Sequence, residues 1–321
     1  EAKSVSAVVM NPYTGEILAE ASYPSYDGND YAAIAASSPA RFIDPIVSSV
    51  YEPGSVFKMF TAVAALESGS VTTKTRINDT GTLKLDGGRS RIDDADRKAK
   101  GWMTFEDAIA WSRNVVAAKV ALGLDRDIRT ASSMLHSTWT RFGFGSPTGI
   151  DLAGEVRGIV RDPAISTWRQ IDLANGSFGQ GIAVTPLQLA VAYSTMVNGG
   201  QRITPHVVKA VGMAETVAAT KGRVIAPSLS KTMVRMMNHV VTLVPFYRDR
   251  TLIDGYEVGG KTGTAQIWNP KANGGRGAWK RDIFNYSFIG YIARDPGRPD
   301  LVVAVRIEEG KPTIKGPGQL E

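Results

Sequence analysis

Ser55 and Lys58 stand three residues apart at the head of an apolar, helix-like stretch that runs to about Leu66. A serine hydroxyl is a weak nucleophile at its ordinary pKa and needs a base. A lysine can be that base when burial or a neighbouring cation disfavours its charge. The i, i+3 spacing puts both side chains on one helix face. At a helix N-terminus, free N–H groups and the dipole also favour developing negative charge beside Ser55. A second pair with this spacing, Ser228 and Lys231, lacks the Pro53-Gly54 break and the buried helix body, and reads as an exposed helix start. Two further clusters could do chemistry. Ser112-Arg-Asn114 interrupts the apolar runs 109–111 and 115–118, and by itself reads as a polar break between them. Lys261-Thr-Gly-Thr264 offers a cation and two hydroxyls, with Gly263 permitting close backbone approach.

The elements that must carry these residues can be read along the chain. Ser6–Met10 and Glu16–Ala21 are strand-like and are joined by the turn residues 11–15. The segment 72–100 is polar and Gly-rich, a loop with short strands. Thr104 caps a helix, and another helix covers about Arg129–Phe142. Thr185 stands at an N-cap with Pro186 behind it and Gly199 past the end, the clearest helix of the sequence. A further helix covers about Ser228–Thr242. Strands return at 258–268, 286–293 and 301–307. The stretch between Trp268 and Asn285 is Gly-rich and basic and reads as a surface loop. Strands thus open and close the chain, with helices between. The pattern predicts an α/β (α+β) fold with one antiparallel sheet built from both ends and an inserted helical lobe.

Composition narrows the function classes. The 321 residues are 43% hydrophobic and 21% charged, ordinary for a globular protein. There are no cysteines, which excludes disulfides, thiolate catalysis and cysteine-type zinc sites. The three histidines, His136, His206 and His239, lie in no catalytic motif. Net charge is +6, yet the densest basic group (Arg89, Arg91, Arg97, Lys98, Lys100) is interrupted by three acids and carries no aromatics. It reads as a solvated loop, so no nucleic-acid partner is expected. No run of 18 apolar residues suggests a membrane span.

Taken together and in this order, Ser55-x-x-Lys58, Ser112-x-Asn114 and Lys261-Thr-Gly resemble the motif set of penicillin-binding proteins and class A β-lactamases. The sequence most resembles the class B penicillin-binding protein transpeptidases. The likeness extends to residues 11–19, to Tyr51–Lys58, to Thr148–Glu155, to Ser177–Gln188 and to Gly259–Gln266, and spans about residues 5–308. It implies the penicillin-binding protein/serine β-lactamase-like fold over the whole of residues 1–321. The family normally has an N-terminal membrane helix and a pedestal module, neither of which is in this sequence. It also normally ends in a helix across the sheet, which the Gly/Pro-rich residues 309–321 are not expected to form.

The resemblance implies roles for the residues. Ser55 attacks the carbonyl between two D-alanines of a peptidoglycan stem peptide, and Lys58 takes its proton. Lys261 is the second cation, which lowers the pKa of Lys58. The backbone N–H groups of Ser55 and Thr264 form the oxyanion hole. Ser112 relays a proton to the leaving D-alanine, and Asn114 binds a substrate amide. Lys261, Thr262 and Thr264 bind the terminal carboxylate on the strand that Gly263 brings close. β-Lactams, which mimic the D-Ala-D-Ala end, acylate Ser55. No metal or organic cofactor is called for. The implied setting is the extracytoplasmic face of the bacterial inner membrane, beside a SEDS-family glycosyltransferase. Two rivals keep the acyl-enzyme but change its fate: a serine β-lactamase with Glu155 as base for water, and a non-catalytic β-lactam sensor domain.

Overall fold

A computed structural model describes residues 2–217 and 219–311. Strands β1 (Ser4–Met10) and β2 (Ile17–Tyr23) form the opening hairpin. Strands β3 (Glu257–Asn269), β4 (Ala278–Ala293) and β5 (Leu301–Gly310) come from the far end of the chain. Among the described residues these five build one antiparallel sheet in the order β3-β4-β5-β1-β2. The junction of the two chain ends is the β1–β5 ladder, which pairs Ser4 with Glu308 and Met10 with Val302. Alternation decides which way β1 faces: Ser6, Val8 and Met10 are buried and the residues between them are not. The α+β fold expected from the sequence is the fold found.

The helices that bear on the site include α1 (Lys58–Glu67), α2 (Phe105–Ala110), α3 (Asn114–Leu122), α4 (Ile128–Phe142), α5 (Pro186–Val197), α6 (Pro227–Leu243) and α7 (Pro245–Thr251). Their ends follow local chemistry. Thr104 caps α2 through the Asp107 N–H, and Thr185 and Gln188 form a reciprocal capping box on α5. Helix α1 is the centre of the core: Met59, Phe60, Ala62, Val63 and Ala65 have no exposure. Phe57 and Phe60 pack on Phe144, with ring centroids 4.7 and 5.0 Å away.

Two expectations need correction. The α-helix does not start at Ser55. Residues Gly54–Phe57 form a tighter 3₁₀ turn, and α-helical geometry begins at Lys58. The Tyr193 hydroxyl, donating to Val56 O at 2.7 Å, holds a carbonyl of that turn. The stretch between Trp268 and Asn285 is half strand and not a loop throughout. β3 and β4 run on as a long hairpin, pairing Trp268 with Trp279 and leaving only residues 270–277 as the turn. The two indoles meet edge-on at 5.1 Å, the kind of cross-strand aromatic pair that stabilises a ladder. The glycines at 274, 275 and 277 mark the turn alone. The expectation for the C-terminal tail concerns residues of which 312–321 lie outside those described.

Candidate active site

The 3₁₀ turn carrying Ser55 is wedged between three other segments. Gly54 N donates to Gly179 O at 3.1 Å, and Tyr51 exchanges two backbone hydrogen bonds with Val184. Thr61 Oγ1 donates to Ser177 O at 2.7 Å, and Gly181 N donates to the Glu52 carboxylate at 2.9 Å. The segment from Ser177 to Val184 is therefore the wall behind the serine. The edge strand β3 closes the other side. A β-carbon on Gly263 would lie 2.5 Å from both Pro53 O and Ser287 Oγ, and one on Gly54, at φ +62°, would lie 2.8 Å from Thr264 O. No side chain fits at either place. Gly263→Ala is expected to cost about 1–3 kcal/mol of stability by overpacking and to force the strand off the serine turn. The check is a denaturation midpoint together with the rate of acylation by penicillin. An alanine variant unchanged in both would show that the contact is not needed.

Two of the expected groups, the Lys58 and Lys261 amines, converge on the Ser112 hydroxyl. Lys58 Nζ lies 2.9 Å from Ser55 Oγ and 3.0 Å from Ser112 Oγ. Lys261 Nζ donates to the same Ser112 Oγ at 2.8 Å and to Thr262 O at 3.1 Å. Both amines have zero exposure, Ser112 is 6% exposed, and Ser55 keeps partial access to solvent. Lys58 also donates to Ser112 O. That double contact exists because Ser112 sits at φ +57°, a left-handed conformation that a serine adopts at a cost of about 1–3 kcal/mol.

Asn114 is not part of this cluster. Its side-chain amide donates to Asp93 O at 3.0 Å, and its backbone N–H to Asp94 Oδ1 at 2.5 Å. Thr262 Oγ1 is 2.8 Å from the Tyr247 hydroxyl. Thr264 Oγ1 is buried and has no hydrogen-bond partner. The pair Ser228 and Lys231 lies exposed at the start of α6. None of the three histidines joins the serine–lysine cluster by a hydrogen bond. His239 pairs with Asp107 at 2.7 Å, and His136 stands edge-on to Trp168.

The residue that sequence reasoning missed is Arg113, the middle of the second motif. It is 1% exposed. Its guanidinium meets Asp79 at 2.8 Å, Asp96 at 3.0 Å and Asp94 at 3.2 Å, and also donates to Lys98 O. Asp94 accepts from the N–H groups of Asn114 and Val115 and so caps α3 from a distant loop. Burial first, and then hydrogen bonding with Asp79, push the Asp94 carboxyl up to about 7. The neighbouring loop is solvated as expected at Arg91 and Arg97, which both reach Asp93. Its acids at 94 and 96, read only as interruptions of a basic cluster, turn to Arg113 instead, Asp94 buried and Asp96 at the solvent edge. An unusually acid-dense run beside a motif that contains arginine was the signal available.

Glu155 is built into its own loop. One oxygen accepts from the N–H and the hydroxyl of Thr148, the other from Gly149 N at 3.0 Å. With both oxygens bound this way, it is a loop closure and not a free base.

Comparison with known proteins gives the same direction. The family model described as penicillin binding protein transpeptidase domain matches residues 5–319. Stage V sporulation protein D of Bacillus subtilis is 36% identical over 96% of this chain and 46% of its own length. Peptidoglycan D,D-transpeptidase FtsI of Escherichia coli is 32% identical over 84% of this chain and 42% of its own. The chain thus spans about half the length of the curated relatives it matches. Penicillin binding protein 3 of Mycobacterium tuberculosis, solved with aztreonam, superposes with a TM-score of 0.81 at 28% identity, covering 96% of this chain and 67% of that one. With a match over nearly its whole length and the serine–lysine–serine–lysine cluster assembled, this chain belongs to the penicillin-binding protein transpeptidase domain family, on its class B branch.

Proposed function

We propose that this chain is a peptidoglycan D,D-transpeptidase domain that works through an acyl-enzyme on Ser55 and is trapped by β-lactams. The observation that carries the reading is the 2.9 Å contact between Ser55 Oγ and the buried Lys58 amine, with Ser112 Oγ bridging to Lys261. Two sealed amines sharing one hydroxyl disfavour each other's charge, which leaves a lone pair for proton abstraction. Ser55 Oγ attacks the carbonyl carbon between the two D-alanines while its proton moves to Lys58 Nζ. The oxyanion is held by backbone N–H groups of Ser55 and Thr264. The C–N bond breaks, and the proton passes through Ser112 to the leaving D-alanine amine. An acceptor amine from a neighbouring stem peptide then displaces Ser55, giving up its proton to the same relay.

Lys261, Thr262 and Thr264 take the terminal carboxylate, and Asn114 turns its free amide capacity to the donor peptide's backbone or side-chain amide. Glu155, bound within its own loop, supports transfer to an amine over hydrolysis. The working place is the extracytoplasmic face of the bacterial inner membrane, with a SEDS-family glycosyltransferase beside the parent protein. Among the described residues no helix is long and apolar enough to cross a membrane.

The test is incubation with benzylpenicillin, followed by intact mass over hours and by peptide mapping. A stable one-to-one adduct on Ser55 is expected. Consumption of the drug without an adduct would point to a β-lactamase. Acylation without transfer from a D-Ala-D-Ala peptide to an amine would point to a sensor.

A further inference from the structure

Helix α7 brings one phenol to the third motif. Tyr247 is 5% exposed and belongs to an apolar cluster with Ala110, Val240, Val241 and Val244. Its ring is therefore fixed by packing, and its hydroxyl lies 2.8 Å from Thr262 Oγ1. Side chains two apart on a strand share a face, so Thr262 and Thr264 stand side by side on β3. Thr264 Oγ1 is buried without a partner, while Thr262 is tied to the phenol.

A threonine hydroxyl has one proton to give and two lone pairs, and a carboxylate only accepts. If the Tyr247 O–H donates into Thr262 Oγ1, the threonine proton is directed away from the phenol and outward. A hydroxyl held in that sense is organised before a ligand arrives, so the ligand does not bear the cost of ordering it. We propose that Tyr247 is a positioning residue that aims the Thr262 hydroxyl at the ligand's carboxylate and so selects a free carboxylate over a neutral end group. The inference rests on the transpeptidase reading, in which Thr262 and Thr264 receive that carboxylate.

The experiment compares second-order acylation rate constants for benzylpenicillin and for its methyl ester. In Tyr247→Phe the ratio of acid to ester rates is expected to fall about tenfold, the scale of one hydrogen bond to a charged acceptor. Thr262→Val should lower the ratio as well. The double variant should be no lower than Thr262→Val alone, because Tyr247 acts through Thr262. An unchanged ratio in Tyr247→Phe, whether both rates fall together or neither does, would make the phenol a packing residue and overturn the inference. Additive losses in the double variant would overturn it too. If the unsubstituted chain is acylated by neither probe, the transpeptidase reading itself fails, an outcome distinct from the others.

Discussion

Ser55→Ala is expected to leave no covalent penicillin adduct after hours of exposure, with acylation slowed on the order of 10⁶-fold, as when other serine enzymes lose their nucleophile. The fold should be untouched. Ser55 lies in a 3₁₀ turn held by backbone and neighbouring groups, through Gly54 to Gly179 and Val56 to Tyr193, not by its own side chain. Its side chain meets the Lys58 amine. Intact mass reads the adduct, and a thermal melt reads the fold. A persistent adduct on the alanine variant would remove Ser55 from the mechanism and move attention to Ser228, the other serine with a lysine three residues on.

Arg113→Leu is expected to cost about 3–5 kcal/mol of folding stability, the usual effect of deleting one partner of a buried ion pair, here Arg113 with Asp79 and Asp94. Against a total of about 5–15 kcal/mol, that is a large share. Three carboxyl groups, Asp79, Asp94 and Asp96, would face one another with no guanidinium between them. Acylation should slow too, because the residue before Arg113 is Ser112, held in a left-handed conformation at the junction of α2 and α3. Asp94→Asn should be milder, since an amide oxygen still accepts from the N–H groups of Asn114 and Val115. Urea midpoints decide the matter: a leucine variant within about 1 kcal/mol of the original would show that the carboxyls relax into water or share protons at little cost.

What could be read in the sequence was chemistry encoded by residue type at short spacing. Ser55 with Lys58, and Lys261 within a strand pattern, needed no knowledge of the fold to be nominated. The capped helices at Thr104 and Thr185 were legible for the same reason, because a cap is a local hydrogen bond. What escaped depends on distant partners. Arg113 looks like a surface residue until the 76–79 strand and the 93–96 turn bring three acids around it. Tyr247 is an ordinary aromatic until α7 lays it against Thr262. The β3–β4 hairpin was misread because its glycines signal a break, whereas a tryptophan pair across the ladder lies outside any local window. Asn114, nominated by motif, has its present hydrogen bonds in capping and turn structure.

The β1–β5 ladder bears on the order of events in folding. β1 is among the first segments of the chain, and its partner on one side is among the last, with Ser4 opposite Glu308. Until residue 310 or so is available, the β1–β2 hairpin has one empty edge and cannot join the rest of the sheet. β3, which shuts the serine turn, reaches β1 only through β4 and β5. Contacts of such sequence separation carry a high loop-closure cost and make for slow folding. A ribosome or an export channel delivering this segment N-terminus first therefore delivers the nucleophile long before β3, the strand that carries Lys261. Reactivity at Ser55 is thus a property of the closed sheet, which is not complete until β5 has paired with β1.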